Sequence, residues 1–256
     1  MVMDTIFALT SLSPAKSARA RQRAAIQSWR AAGLTVRCFN RRSEISRMRD
    51  VYDVDFVAVK KKRTSKHIFG RSYIPINVML NWARTEDVPA LLINSDIEVQ
   101  MSGPELQRVR CLSDGGLCYF IRYNHDERKE EASPDSWGLD AFLLHGRDAS
   151  LVPDSFLSMG QPWWDYWLPL MFIRQNRPVY AVEFPAIFHR NHPQNWSWEA
   201  YLQCALEFNR FVSMLGEDRS SGACQEMARR VRPELTQRRR AILRHGQQLV
   251  VEGDPA

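Results

Sequence analysis

Two carboxylates close the apolar run Leu91-Leu-Ile-Asn-Ser-Asp96-Ile-Glu98, spaced i, i+2. On an extended strand that spacing points both side chains the same way. Side by side they are hard oxygen donors of the kind Mg²⁺ or Mn²⁺ takes, and such an ion also holds a diphosphate. A solvated acidic turn is the plainer alternative. A second cluster, His189-Arg-Asn-His192-Pro-Gln-Asn-Trp196, sets two of the six histidines three residues apart. Neutral imidazole is a ligand for transition ions, against the alternative of a polar loop with one capping histidine. A third cluster, Gly160-Gln-Pro-Trp-Trp-Asp165-Tyr-Trp167, holds one carboxylate among four aromatic rings. Ring faces stack on sugars and bases, and a carboxylate kept partly dry has its pKa raised toward that of a useful base. Core packing is the alternative there. A fourth signal is the basic stretch 60–71, which either lies solvated or reaches a diphosphate.

A sheet is needed to position these groups. Residues 5–10 read as a buried strand running into the turn Ser11-Leu-Ser-Pro14. A helical pattern covers 15–32, with Ala24, Ala25, Ile26 and Trp29 on one face and Gly33 at its end. Strands at 34–39 and 55–59 flank a short helix at 45–51, and strand, helix, strand at this spacing marks a parallel α/β sheet. A helix over 73–83 leads to a central strand at 89–93, whose C-terminal end carries Asp96 and Glu98. That end is where open α/β sheets bind ligands. Further strands are expected at 117–121, 139–144 and 178–182, with a charged loop lacking regular structure at 126–135. Helices are expected at 170–175, 198–215 and 224–250, the last interrupted by Pro233. The expected architecture is one α/β domain over 1–215, with a mostly parallel central sheet flanked by helices, and a basic helical extension over 216–256.

Composition narrows the class. A chain of 256 residues, 45% hydrophobic and 25% charged, has the make-up of a globular protein able to bury its own core. A net charge of +6 admits an anionic partner without naming it. The start, Met1-Val-Met-Asp4, lacks the basic region of a secretory signal, and no run of 18 apolar residues predicts a membrane span. Five cysteines without CxxC spacing make neither a disulfide framework nor a zinc ribbon. A soluble protein of a reducing cytoplasm is expected.

Taken together, the motifs resemble the glycosyltransferase-A fold, whose members are nucleotide-sugar-dependent and metal-assisted. Ala8-Leu-Thr-Ser11, then Gln27-Ser-Trp29, Gly33 and a strand ending in Asn40, resemble the nucleotide-binding start of such enzymes. Asn94-Ser-Asp-Ile-Glu98 resembles their Asp-x-Asp metal motif, and Ser136-Trp-Gly-Leu-Asp140 resembles the strand facing the acceptor. Pro162-Trp-Trp-Asp165 and His189-Arg-Asn-His192 are similar to the Pro-x-Trp-Asp and His-Gln-Asn-His elements of a poorly characterised branch. The resemblance spans about residues 5 to 200, judged by where these motifs fall. It departs at Glu98, one methylene longer than Asp, and at Pro193, where the branch has Asp.

The resemblance implies transfer of a sugar from a nucleoside-diphosphate sugar to an acceptor. It implies a divalent cofactor, Mn²⁺ or Mg²⁺, on Asp96, Glu98 and His192 or His189. Thr10, Ser11, Asn40, Asn94 and Ser95 would line the donor site, with Lys66 and Arg71 on the diphosphate. Asp165 would orient the acceptor and act as base, with Asp140 beside it, and Trp163 and Trp164 would form a stacking wall. Two alternatives stand: a non-catalytic nucleotide- or sugar-binding module, and a transferase acting on nucleic acid. The second rests on Arg229-Arg-Val-Arg232 and Arg238-Arg-Arg240, which equally fit a helix resting on the inner membrane face.

Overall fold

A computed structural model describes residues 5–213, except 136–137, 176 and 194–195. Strand β1 (Phe7–Thr10) lies between β2 (Thr35–Arg41) and β4 (Pro89–Ile93), and β3 (Asp55–Val59) flanks β2; all three pairings are parallel. The crossovers carry α1 (Arg19–Ala31), α2 (Arg42–Met48), α3 (Lys66–Phe69) and α4 (Ile76–Glu86). At the end of α1, Gly33 turns the chain into β2 at φ 84°, a left-handed conformation that glycine adopts without steric cost. All five residues of β4 are buried, as a strand covered on both faces requires.

Beyond β4 the elements are β5 (Ile97–Val99), α5 (Gly103–Leu112), β6 (Leu117–His125), β7 (Ser133–Pro134), β8 (Ala141–His145), α6 (Trp164–Arg174), β9 (Val179–Arg190) and α7 (Trp198–Ser213). The sheet order is β3-β2-β1-β4-β8-β6-β9-β5, with β7 added on β6. Strand β8 is antiparallel to β4 and β6, β9 is parallel to β6, and β5 is antiparallel to β9. The expected α/β sheet flanked by helices is present, parallel in its first half and mixed in its second. Period two divides β1 and β4 between the faces. Leu9 and Leu92 join α4, α6 and α7 through Met79, Trp167 and Phe208, while Ala8, Leu91 and Ile93 join α1 and α5 through Trp29 and Leu106.

One connection bends the sheet. Only Asn94, Ser95 and Asp96 separate β4 from β5, yet β8, β6 and β9 lie between those strands. In a flat sheet four interstrand steps span roughly 19 Å, whereas four Cα steps of extended chain reach roughly 14 Å. The sheet therefore curls to bring β5 back toward β4, and Trp29 Nε1 donates to the Ile97 carbonyl at 2.8 Å to hold it.

Several expectations change. Helix α6 begins at Trp164, so the aromatic run is helical from Trp164 onward. Pro169 looks like a stop, but it removes one helix hydrogen bond while Trp164, Trp167, Leu168 and Phe172 are buried around it. Segment 126–135 is not without regular structure: β7 pairs with Tyr123 and Asn124. Strand β9 extends to Arg190 because β5 and β6 pair with its second half, so His189 stands on a strand. The extension 216–256, the helix at 224–250 and their arginines lie outside the described residues, as do Ser136 and Trp137. Among the described residues, no helix is long and apolar enough to cross a membrane.

Candidate functional site

The loops leaving the C-terminal ends of β1, β2 and β4 line one cleft of ≈ 1170 Å³. This is the end of a parallel sheet at which crossovers leave room for a ligand. Three chemically distinct groups of side chains meet in it.

The first is a donor triad of Asp96, His189 and His192, whose ligand atoms all lie within 4.8 Å of one another. Asp96 comes from the β4–β5 turn. His189 comes from β9, opposite Ile97 of β5 and Asn124 of β6. His192 Nε2 lies 2.9 Å from Asp96 Oδ2 and 3.3 Å from His189 Nε2. The far nitrogens are committed: His189 Nδ1 is 3.3 Å from Asn124 Oδ1, and His192 Nδ1 is 2.8 Å from the Pro193 carbonyl. Both partners are oxygens that only accept, so each Nδ1 is placed to donate; an ion on the triad would then meet the Nε2 lone pairs, whereas without one a doubly protonated His192 donates from Nε2 to Asp96 Oδ2. Ligands about 2.1 Å from one ion stand roughly 3.0 Å apart in octahedral and roughly 3.4 Å apart in tetrahedral coordination. The His192–Asp96 and His192–His189 separations, 2.9 and 3.3 Å, lie close to those values, and two imidazoles with one carboxylate fit a divalent transition ion. The bond to Asp96 raises the His192 pKa, while burial lowers that of His189. Burial acts to raise Asp96, but the His192 hydrogen bond and both imidazoles bring it below the usual value.

Glu98 falls outside this triad. Asp96 sits in a turn, so the period-two rule does not carry from it into the three-residue β5. The Glu98 carboxylate accepts from Lys129 Nζ at 2.6 Å. The paired carboxylates expected at the strand end are replaced by one carboxylate and two histidines.

The second group is acidic. Arg122 bridges Asp135 and Asp140, and Asn94 Nδ2 also donates to Asp140. Burial acts against the guanidinium charge, but the two carboxylates outweigh it and push its pKa up. A Cβ at Gly138 would collide with this guanidinium, which would have to shift from its two carboxylates to admit one. Asp165 lies in the first turn of α6, its Oδ1 accepting from the Tyr166 backbone N–H at 3.2 Å. Burial, and then the nearby charge of Asp140, push its pKa up to about 7. That is the range a general base requires at neutral pH.

The third group is basic: Lys66 and Arg71 line the cleft, joined by Arg21 and Arg47. Ser11 and Asn40 line it too, with Asn40 holding the loop after β1 through Leu12 N (3.2 Å) and O (2.9 Å). Asn94 and Ser95 are present, Ser95 Oγ lying 3.1 Å from the Gln22 amide. Thr10 does not reach the cleft: it is buried, and its hydroxyl donates to Met159 Sδ at 3.5 Å. Trp163 and Trp164 line the cleft yet are only 8% and 2% exposed. Trp164 packs edge-on to Phe142, and Trp163, in the left-handed region at φ 76°, packs on Phe208 and Tyr201. Little ring face is left for a stacking wall. Trp196, which closes the His189–Trp196 cluster, lines the cleft, whereas Arg122, Asn124 and Tyr201 were not anticipated. Arg122 and Asn124 stand two apart where the apolar run of β6 turns polar, a period-two signal readable in the sequence.

No protein-family model matches this chain, and no curated protein does. Solved structures are similar at low identity. A Desulfovibrio desulfuricans G20 protein, described provisionally as a nucleotide-diphospho-sugar transferase, is 10% identical over 91% of this chain and 98% of its own, with TM-score 0.46. Rv0371c from Mycobacterium tuberculosis H37Rv is 14% identical over 80% of this chain and 98% of its own, with TM-score 0.44. Mouse xyloside xylosyltransferase 1, in its apo form, is 11% identical over 76% of this chain and 99% of its own, with TM-score 0.42.

Proposed function

We propose that this chain is a metal-dependent glycosyltransferase that moves a sugar from a nucleoside-diphosphate sugar to an acceptor hydroxyl. The observation that carries the reading is the meeting, in one cleft, of a cation-ligand triad, a basic rim and a carboxylate tuned to neutrality. Asp96, His189 and His192 would hold the divalent ion, which when bound neutralises charge on the departing diphosphate. Lys66 and Arg71, with Arg21 and Arg47, supply the remaining positive charge, aimed at the oxygens where negative charge grows. Ser11, and the loop that Asn40 braces, line the nucleoside side, with Asn94 and Ser95 toward the sugar. In an inverting transfer Asp165 takes the acceptor proton as the acceptor oxygen bonds the anomeric carbon and the bond to the diphosphate breaks. Asp140 acts through Asp165, its charge keeping that carboxyl basic. The test is nucleoside-diphosphate release from a panel of UDP- and GDP-sugars with Mn²⁺, in wild type and Asp96→Ala. Release by the wild type alone is expected; equal release by both proteins sinks the assignment.

A further inference from the structure

We propose that the first turn of α7 carries a saccharide-binding platform, built on Trp198 and backed by Tyr201, for a neutral glycan acceptor. It rests on the sugar-transfer reading for its role, and on its own geometry for its existence. Trp198 is 60% exposed, an unusual state for an indole. Its ring is nevertheless fixed: it stacks on Tyr201 with centroids 5.0 Å apart and planes 9° apart. Trp196 stacks on the same tyrosine at 5.6 Å and 27°. The backbone beneath is also held, with Ser197 Oγ accepting from Ala200 N at 3.2 Å in the manner of a helix N-cap. A ring immobilised before the ligand arrives loses little entropy on binding.

The rings lead into the cleft. Tyr201 lies 5.4 Å from Trp163, and Trp196, Tyr201 and Trp163 line the same cleft as Asp165. Trp198 does not itself line the cleft; it joins it through Tyr201, so the platform sits one ring away from the cleft that holds Asp165. Charge selects the ligand class. From Trp196 to Leu206 the chain carries Glu199 and neither lysine nor arginine. A nucleic-acid acceptor requires cations along its backbone, so stacking here favours an uncharged polyol over a base in a polyanion. Leu202 and Leu206, 39% and 50% exposed, continue the strip one and two helical turns on and offer no ring face. They separate a sugar platform from a general apolar contact.

Saturation-transfer NMR with maltotetraose, cellotetraose, xylotetraose and mannotetraose tests the proposal on the full chain. At least one is expected to bind the wild type, with Trp198→Ala weakening it about tenfold and Trp198→Phe keeping most of the affinity. The Leu202→Ser/Leu206→Ser double variant is expected to bind as wild type. No saccharide binding, or equal loss in the double variant, overturns the platform. The thermal shift of the wild type with UDP or GDP and Mn²⁺ does not involve Trp198, which lies outside the cleft lining. Its absence would defeat the sugar-transfer reading while leaving saccharide binding to be judged separately.

Discussion

The Nε2 atoms of His189 and His192 face each other at 3.3 Å, each ring held by an oxygen on its far side. Two lone pairs in that arrangement repel unless a cation or proton lies between them. Removing Asp96, His189 or His192 is therefore expected to abolish Mn²⁺ binding measured by electron paramagnetic resonance. Asn124→Leu, which leaves all three ligands in place, is expected to weaken it about 10- to 100-fold by freeing the His189 ring. Glu98→Ala is expected to bind as wild type, since Glu98 is paired with Lys129. Loss in Glu98→Ala equal to that in Asp96→Ala would place the ion on the other carboxylate.

Asp165 gives a pH signature. As a base with its pKa near 7, it predicts transfer rates that rise through pH 7 to a plateau. Asp165→Asn is expected to flatten the profile and cut the plateau rate by about 10²- to 10⁴-fold.

The same shift affects stability, with a definite sign. The folded pKa lies above the ordinary carboxylate value of 3.8, so the folded state binds more protons between pH 4 and 7. That contribution is fully present below the unfolded value and is lost as pH rises through the folded value. The Asn variant carries no such charge at any pH. Its melting temperature relative to wild type is expected to be higher at pH 8 than at pH 4; a constant difference across that range would show Asp165 unperturbed.

Arg122 is the keystone of the acidic side, with both of its carboxylate partners largely buried. Arg122→Met strands Asp135 and Asp140 and is expected to cost about 3–5 kcal/mol in urea denaturation. Gly138→Ala, by forcing the guanidinium aside, is expected to cost about 1–3 kcal/mol. Wild-type stability in Gly138→Ala would mean the guanidinium has room to move.

Lys66 and Arg71 predict a salt-dependent donor affinity. Lys66→Ala and Arg71→Ala are each expected to weaken UDP or GDP binding by calorimetry and to reduce its dependence on NaCl. Unchanged affinity in both would move the diphosphate to Arg21 and Arg47.

The parallel half of the fold was legible because its apolar runs are short, bounded and separated by helical crossovers; 89–93 is an example. The second half was less so. Strand β9 outruns its apolar stretch because pairing with β5 and β6, not burial of every side chain, sustains it. Helix α6 hid behind Pro169. In the site, His189, His192, Asp96 and Asp165 stood out as residue types that are scarce or costly in such settings, and the structure brings them into one cleft. Glu98 misled because spacing along a chain implies proximity only within one regular element. Trp163 and Trp164 misled because aromatic density marks cores as readily as surfaces. Trp198 passed unnoticed because its exposure depends on how α7 docks.

The three-residue link between β4 and β5 has a mechanical consequence. Asp96 belongs to that link, whereas His192 follows β9, 96 positions later in the chain. An ion on the triad would therefore act as a clasp across the seam of the curled sheet, joining the parallel half to the half that carries Arg122 and Asp140. Occupancy would then be felt as resistance to unfolding of the whole domain, growing with the logarithm of ion concentration. Hydrogen exchange in β5 and the end of β9 would slow together, as one latch closing.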